Sequence, residues 1–275
     1  MSGRCSRDTA VPHPAWVPMH EGENRAYFRV LGVRVDALQL PDVSAIIEQW
    51  VQDHGRCRYI AVTGIHGVME AQHDPEFKRI LNSADLVVPD GMPLVWLSRL
   101  QGIGLKRRVY GPELMLSVCQ QRTSERLRHF LLGGAPGVAD RLAIVLQDKY
   151  PGLEIVGTCS PPFRPLTSDE DEKLVAAMNR TSPDIVWVGL GTPLQERWMH
   201  EHRDRLNASV LLGVGAAFDL HAGIKKQAPV WMRENGMEWL FRLLQEPRRL
   251  WRRYLVYGSQ FIFYVLLELA GMRKE

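Results

Sequence analysis

Short runs of apolar residues alternate along the chain with longer segments in which apolar positions recur every three or four residues. The first pattern is typical of buried strands, and the second of helices with one face on a core. The predicted strands are 58–63, 86–88, 127–132, 154–158, 184–188 and 210–214. The predicted helices are 42–54, 66–81 with a break near Pro75, 92–100, 114–122, 136–149, 169–180 and 194–205. Strands joined by helices of this length need crossover connections, so the pattern predicts a doubly wound, mostly parallel, Rossmann-like α/β sheet.

The composition is that of an ordinary globular protein. The chain has 275 residues, of which 45% are hydrophobic and 24% charged, with a net charge of +3. We expect a flexible N-terminal arm over 1–25, an α/β domain over 26–225 and a basic, amphipathic helical appendage over 226–275. The arm shows no apolar stretch of a secretory signal. The four cysteines form no CxxC pair, which favours free thiols in a reducing compartment.

One carboxylate stands where a predicted strand turns into a helix. Asp90 follows the strand 86–88 and is flanked by Pro89 and Gly91, both typical of turns. In an open parallel sheet, ligands bind outside the carboxyl ends of the strands, where Asp90 would lie. A helix cap that accepts hydrogen bonds from first-turn amides is the competing interpretation of this segment.

Three glycine-bearing turns follow other predicted strands. They carry Gly133, Gly134, Gly191, Gln195, Glu196, Phe218 and Asp219. For Gly133 and Gly134, close packing of a helix on a strand is at least as good an explanation as a bound phosphate. In the second turn, Thr192 would cap a helix even without a ligand. Three such turns at one edge of a sheet nevertheless fit a nucleotide held across that edge. None has the GxGxxG pattern of a nicotinamide-dependent oxidoreductase, which remains a weaker alternative.

Arg108 lies in a cationic segment before a Val-Tyr-Gly turn. Such a segment is either a solvated loop or a clamp for phosphate, to which a planar guanidinium is suited. The nine histidines form no HxxxH or HExxH pattern, so we expect no metal site. No nucleophile elbow is recognisable either.

The C-terminal segment predicts a contact outside the sheet domain. A helix over 231–244 ends before Pro247, and an arginine cluster then leads into an apolar stretch over 255–269; the cluster is Arg248, Arg249, Arg252 and Arg253. The stretch is shorter than the roughly 20 apolar residues that span a bilayer. Arginine and aromatic residues beside a short apolar helix indicate the membrane interface. A homo-oligomer contact, or a helix packed back on the core, is the alternative. Nucleic acid is not expected, because no motif for it is present.

Five ordered motifs resemble those of the WecG/TagA/CpsF glycosyltransferases. They are Asp-Pro-Glu-Phe at 74–77, Ala-Asp-Leu-Val-Val-Pro-Asp-Gly at 84–91, Arg-Val-Tyr-Gly at 108–111, Gly-Thr-Pro-Leu-Gln-Glu at 191–196 and Gly-Ala-Ala-Phe-Asp at 215–219. The likeness covers about residues 28–257, and the tail motif at 245–251 also resembles that family. The resemblance implies an inverting transfer from a UDP-sugar to a polyprenyl-diphosphate-linked saccharide, in the biosynthesis of cell-surface polysaccharide or exopolysaccharide. It implies no metal and no cofactor, and a cytoplasmic enzyme that is peripheral on the inner face of the cytoplasmic membrane.

The resemblance also implies roles for individual residues. Asp90 would deprotonate the acceptor hydroxyl, Arg108 would stabilise diphosphate charge, and Thr63 would be the active-site threonine at a strand end. Gln195 would lie near the sugar and diphosphate, and the arginine cluster would contact the membrane or the acceptor diphosphate. The other implied substrate-binding residues are His66, Gly91, Gly133, Gly134, Gly191, Glu196, Phe218 and Asp219.

Two positions depart from the family pattern. Many members have an Asn two residues after the strand-end Thr, whereas this run is one residue shorter and His66 is the candidate to replace that Asn. The common Arg-Ala-Pro is Gln227-Ala228-Pro229 here. Both changes touch sugar or phosphate recognition, so the donor sugar stays open. A non-catalytic, membrane-associated polysaccharide assembly factor is the alternative that needs neither Asp90 nor Arg108.

Overall fold

A computed structural model describes residues 25–53, 55–120 and 127–272. The predicted N-terminal arm lies outside the described residues except for Arg25, as do Cys5 and the predicted helix ends at His54 and Arg122. The strands are β1 (Tyr27–Val30), β2 (Val33–Asp36), β3 (Arg58–Thr63), β4 (Leu86–Pro89), β5 (Arg128–Gly133), β6 (Glu154–Cys159), β7 (Ile185–Gly189) and β8 (Val210–Gly213).

The helices alternate with these strands and then continue beyond β8. They are α1 (Leu40–Gln52), α2 (Ile65–His73), α3 (Pro75–Asn82), α4 (Met92–Leu100), α5 (Gly111–Gln120), α6 (Val138–Lys149), α7 (Ser168–Arg180), α8 (Leu194–His202), α9 (Ala217–His221), α10 (Val230–Glu234), α11 (Glu238–Gln245), α12 (Pro247–Trp251) and α13 (Tyr257–Leu269). One π-helical turn (Arg252–Val256) joins α12 to α13. The predicted break near Pro75 is confirmed: Asp74 accepts a 2.9 Å hydrogen bond from the Phe77 amide and caps α3.

Within the described residues, the main sheet has six strands in the order β4-β3-β8-β7-β5-β6. All neighbouring pairs in it are parallel. The chain therefore fills one edge with β4, crosses to the far edge with β5 and β6, and returns to the middle with β7 and β8. This order brings the carboxyl ends of β3, β8 and β7 side by side, and it confirms the predicted parallel α/β sheet.

Helices cover both faces of the sheet. Successive strand residues point to opposite sides, and here the residues on both sides are apolar, so each face is buried under helices. Ile60 and Val62 of β3 belong to a buried cluster with apolar residues of α1, α5, α6 and α9. Ala61 packs on the other face with residues of α2, α3 and α4. Tyr59 packs on that same face with residues of α7 and α8. Burial on both sides explains why the strands read as nearly continuous apolar runs.

A two-stranded hairpin was not predicted. β1 and β2 pair antiparallel across a turn in which Gly32 has φ +74°. Their apolar residues alternate as Phe28, Val30, Val33 and Val35, all buried against the α2–α4 side of the sheet. Each strand has four residues, which is too short for a reliable period-two signal.

The C-terminal helices differ from the prediction in one break and in their packing. The predicted helix 231–244 is wrong as a single element, because Gly236 adopts φ +72° between α10 and α11. The predicted end before Pro247 is confirmed. Phe261 and Val265 of α13 are buried in the cluster that also holds Phe28. The C-terminal segment therefore packs back on the α/β domain, and its contact with a membrane stays a prediction. No helix in the described ranges has the length and apolar character needed to cross a bilayer.

Candidate active site

A cleft of about 1810 Å³ runs along the carboxyl edge of the sheet and reaches the C-terminal helices. Its lining comes from the turns after β3, β4, β5, β7 and β8 and from α11, α12, the π-helical turn and α13. Predicted site residues that line it are His66, Asp90, Gly91, Arg108, Gly134, Gly191, Gln195, Phe218, Asp219, Arg249 and Arg253. The topology therefore gathers most of the predicted site residues in one cleft.

Asp90 follows β4, the edge strand of the sheet, and lies beside the end of β3. Its amide donates a 2.7 Å hydrogen bond to the Thr63 carbonyl, which joins the ends of β4 and β3. The helix-cap interpretation does not hold, because Gly91 is the residue that precedes α4 and Asp90 Oδ1 is buried without a hydrogen-bond partner. Burial raises the pKa of Asp90 to about 7, against the opposing charge of Arg108 and with a further increase from Glu238. A carboxylate with this pKa is suited to accept a proton near neutral pH.

Three arginines surround Asp90 within electrostatic range: Arg108, Arg242 and Arg253. Burial alone would lower the pKa of Arg108, but Asp90 and Glu238 outweigh it and raise the pKa. Burial lowers the pKa of Arg253, whose Nε is buried without a hydrogen-bond partner. Arg242 was not among the site residues predicted from the sequence. Three cations against two carboxylates make this part of the cleft suited to an anion.

Glu238 holds Arg108 in place, and sequence reasoning missed it. Arg108 Nη2 donates a 2.5 Å hydrogen bond to Glu238 Oε2, and the Tyr110 hydroxyl donates a 2.8 Å bond to Oε1. The guanidinium also lies 4.1 Å from the centroid of the Tyr110 ring. Gln227, one of the departures from the family pattern, donates to the Tyr110 hydroxyl at 3.5 Å. Arg108 is therefore no solvated loop residue, and its role as a phosphate clamp stays a prediction.

Several buried polar atoms around the cleft have no hydrogen-bond partner. They are Thr63 Oγ1, His66 Nδ1, Asp90 Oδ1, Glu196 Oε2 and Arg253 Nε. A buried polar group left unpaired costs about 1–3 kcal/mol, so folded proteins rarely tolerate a group of them without a reason. His66, Asp90 and Arg253 line the cleft, so a polar ligand there would complete their hydrogen bonding. Thr63 and Glu196 lie behind the lining.

His66, the candidate to replace the missing Asn, lines the cleft as a neutral ring. Burial, together with the nearby charge of Arg253, lowers its pKa to about 3. The ring lies 5.8 Å from the Tyr257 ring, centroid to centroid, on the π-turn side of the cleft. A neutral imidazole can donate or accept a hydrogen bond, as an Asn amide does. Its replacement of the Asn contact stays a prediction.

Gln195 and Glu196 form a buried polar cluster at the start of α8. Gln195 Oε1 accepts from the Gly191 amide at 3.2 Å, and its Nε2 donates to Glu196 Oε1 at 3.0 Å. The Thr192 hydroxyl donates to the same Glu196 oxygen at 2.8 Å. Burial raises the pKa of Glu196. The cluster stabilises the turn after β7 beside the cleft, while Glu196 itself lies behind the lining.

The two glycines of the turn after β5 have different roles. A Cβ at Gly133 would lie 2.5 Å from the Gly189 carbonyl carbon, and its φ of +134° favours glycine. Gly133 therefore serves the close approach of β5 to β7, whereas Gly134 lines the cleft. Across the cleft, Lys225 Nζ lies 2.7 Å from Asp219 Oδ2, so that this carboxylate is already paired.

The predicted arginine cluster separates into two pairs. Arg249 and Arg253 line the cleft, whereas Arg248 and Arg252 are exposed and do not. Arg249 also donates a 2.5 Å hydrogen bond to Glu246. Arg253 thus faces the same space as Asp90, and Arg248 and Arg252 remain the candidates for a surface contact.

No three His, Cys, Asp or Glu side chains converge as a possible metal site within the described ranges. The expected absence of a metal and of a cofactor stays a prediction.

A parallel sheet with a cationic cleft across its carboxyl edge defines the class of α/β proteins that bind an anionic ligand at their strand ends. The chain belongs to the glycosyl transferase WecG/TagA/CpsF family, whose sequence profile matches residues 28–275. The resemblance inferred from the motifs is therefore confirmed.

Two relatives carry the same name, N-acetylglucosaminyldiphosphoundecaprenol N-acetyl-beta-D-mannosaminyltransferase. The protein from Bacillus spizizenii is 33% identical over 210 residues, which covers 76% of this chain and 79% of the relative. The protein from Staphylococcus aureus strain MW2 is 27% identical over 235 residues, which covers 85% of this chain and 91% of the relative. The chain is thus a glycosyltransferase, and its relatives use a polyprenyl-diphosphate-linked sugar.

Proposed function

We propose that this glycosyltransferase moves a sugar from a UDP-sugar to a polyprenyl-diphosphate-linked saccharide, with inversion and without a metal ion. The observation that carries the proposal is the buried, unpaired Asp90 Oδ1 among Arg108, Arg242 and Arg253. The names of the relatives support the acceptor class, because they describe a diphosphoundecaprenol-linked N-acetylglucosamine. The family resemblance and the cationic cleft at the strand ends support the proposed UDP donor.

Asp90 acts as the general base in this proposal. Its carboxylate takes the proton of the acceptor hydroxyl, and the hydroxyl oxygen attacks the anomeric carbon of the donor sugar. The bond between that carbon and the UDP oxygen breaks as the new bond forms, and UDP leaves with the electron pair. A single displacement of this kind inverts the anomeric configuration, since the acceptor oxygen enters opposite the leaving group.

The arginines stabilise the charge that develops on the leaving diphosphate. Fixed cations are most effective where the site excludes water, and Arg108 and Arg253 are both largely buried. Arg108 keeps its orientation through Glu238 and Tyr110. We assign to these side chains the charge neutralisation that a divalent cation supplies in many other transferases.

Calorimetric titration with UDP in the presence of a chelator tests the proposed donor class. We expect UDP to bind without added metal, because three arginines lie in the cleft. NADH, titrated in parallel, should not bind, since the chain lacks the dinucleotide turn. Binding of NADH instead of UDP would contradict the proposal, and a strict need for Mg²⁺ would remove its metal-independent part.

We further propose that the enzyme lies in the cytoplasm, peripheral on the inner face of the cytoplasmic membrane. Arg248 and Arg252 are exposed beside Trp251 and Leu255, which are 48% and 50% exposed. Cations next to exposed apolar side chains favour an anionic lipid surface.

Sedimentation with anionic vesicles tests this surface. Replacing Arg248 and Arg252 by Gln should weaken sedimentation about tenfold or more, because each cation near an anionic surface contributes about 1 kcal/mol. Added salt should weaken the sedimentation of the wild type with these vesicles in the same way. The double variant of Arg79 and Arg180, two exposed arginines on α3 and α7, is the matched control. Undiminished sedimentation of the first variant would favour the homo-oligomer contact.

A further inference from the structure

An apolar groove extends from the catalytic end of the cleft along two helices. α4 begins two residues after Asp90, and α13 follows the π-helical turn that contains Arg253. Both helices contribute apolar side chains to the lining of the same cleft. From Arg253 to Leu269 the helical rise corresponds to roughly 24 Å. The groove is therefore long compared with a sugar, and it starts at the catalytic residues.

The α4 wall is one helical stripe. Pro93, Trp96, Leu97 and Leu100 line the cleft with the spacing of one helix face. Leu100, at the outer end of this stripe, is 70% exposed. The stripe carries no charge, so that it favours an apolar chain over a sugar or a nucleotide.

The α13 wall is also apolar, and two of its residues form the floor of the groove. Ile262, Leu266 and Leu269 line the cleft and are each about 60% exposed. Phe261 and Val265 line it too but are buried, and they connect the groove to the core. Contiguous exposed apolar surface of this kind marks an interaction site, unlike apolar residues scattered singly.

The two ends of the groove differ in charge. Arg249 and Arg253 line the cleft, and Arg253 lies within electrostatic range of Asp90, whereas Leu100 and Leu269 line its outer end. A ligand that matches this polarity has an anionic head and a long apolar tail. A prenyl diphosphate has this chemistry, since its diphosphate suits guanidinium groups and its chain suits apolar walls.

We infer that this apolar groove binds the isoprene units next to the diphosphate of the lipid-linked acceptor. The inference rests on the proposed acceptor class and adds a site for the lipid chain itself. Binding the chain would place the acceptor diphosphate at Arg249, which leaves Arg253 to the donor diphosphate, and the attached saccharide toward Asp90. The enzyme would thereby recognise the lipid as well as the sugar.

Calorimetric titration with a series of prenyl diphosphates in vesicle-free buffer tests the groove. The probes are inorganic diphosphate and geranyl, farnesyl and geranylgeranyl diphosphate, below their micelle concentrations. We expect Kd to fall severalfold with each added isoprene unit, because each buries further methylene groups. Replacing both Leu100 and Ile262 by Ser should raise Kd for geranylgeranyl diphosphate about tenfold or more and leave Kd for inorganic diphosphate unchanged.

A matched control uses exposed apolar residues that do not line the cleft. Phe263 adjoins Ile262 on α13 and is 57% exposed, and Leu244 on α11 is 73% exposed. Replacing both by Ser should leave the whole series unchanged. Equal Kd values for all chain lengths would overturn the inference that the groove binds isoprene units. So would equal loss of vesicle sedimentation in both double variants with no change in Kd, since the residues would then be membrane contacts.

The same measurements distinguish a failure of the groove hypothesis from a failure of the proposed reaction. Chain-length dependence without transfer from any UDP-sugar would support the groove and remove the proposed reaction. Transfer to a short-chain acceptor, with no chain-length dependence of Kd, would keep the reaction and remove the groove.

Discussion

Replacing Asp90 by Asn lowers the turnover number by about 10²–10⁴-fold, the range typical of a lost general base. The affinity for UDP stays nearly unchanged, because the arginines that would hold the diphosphate remain. The amide has nearly the same shape as the carboxylate but cannot take the acceptor proton. The measurement is steady-state transfer from a UDP-sugar to a lipid-diphosphate acceptor, together with UDP titration of the same variant.

The pH dependence of the rate identifies the base. In the free enzyme the pKa of Asp90 is about 7, so kcat/KM of the wild type should rise with pH through that region and then level off. This rise should disappear in the Asn variant. Asp204, whose side chain is 86% exposed, offers a control carboxylate for which Asn should change neither rate nor profile. Turnover within tenfold of the wild type would remove Asp90 from the role of base.

The free energy of unfolding is a second readout of the same variant. The pKa of Asp90 rises from 3.8, its ordinary value, to about 7 in the folded protein. The folded state therefore binds the proton more tightly than the unfolded state, and ionisation of Asp90 destabilises the fold as pH rises from about 4 to about 7. At pH 8 the Asn variant should be more stable than the wild type, by at most about 4 kcal/mol, and the difference should vanish near pH 4. Urea unfolding at both pH values measures this.

Replacing Arg253 by Gln is the second substitution with a large expected effect. We expect turnover to fall about 10²–10³-fold, the cost of removing one group that stabilises developing charge in a buried site. UDP affinity should fall about tenfold, since a hydrogen bond to a charged group contributes about 1.5–3 kcal/mol. The reason is the position of Arg253, which lines the cleft within electrostatic range of Asp90.

The neighbouring arginine is the matched control. Arg252 precedes Arg253 in the same π-helical turn but is exposed and does not line the cleft. Its replacement by Gln should leave turnover on a soluble acceptor unchanged. A Lys at 253 should restore only part of the activity, because it keeps the charge but lacks the planar fork. Equal losses from both Gln variants would assign Arg253 to general surface charge instead of the site.

Local sequence patterns determined the alternation of strands and helices, the turn that carries Asp90 and the glycine turns at the strand ends. These features depend on residues close in sequence, where periodicity and turn chemistry operate directly. Ordered motifs then identified the family, and with it the candidate roles of Thr63 and Gln195. The hairpin β1–β2 was missed because four-residue strands carry too weak a pattern.

Only the tertiary structure decided which charged groups meet. Arg108 and Glu238 are 130 positions apart, and nothing in either segment predicts their 2.5 Å contact. Arg252 and Arg253 have the same chemistry and adjacent positions, yet the packing of α13 on the domain exposes one and turns the other into the cleft. Local propensity sets the elements, whereas contacts between distant segments depend on how those elements pack, and the cationic cleft is built from such contacts.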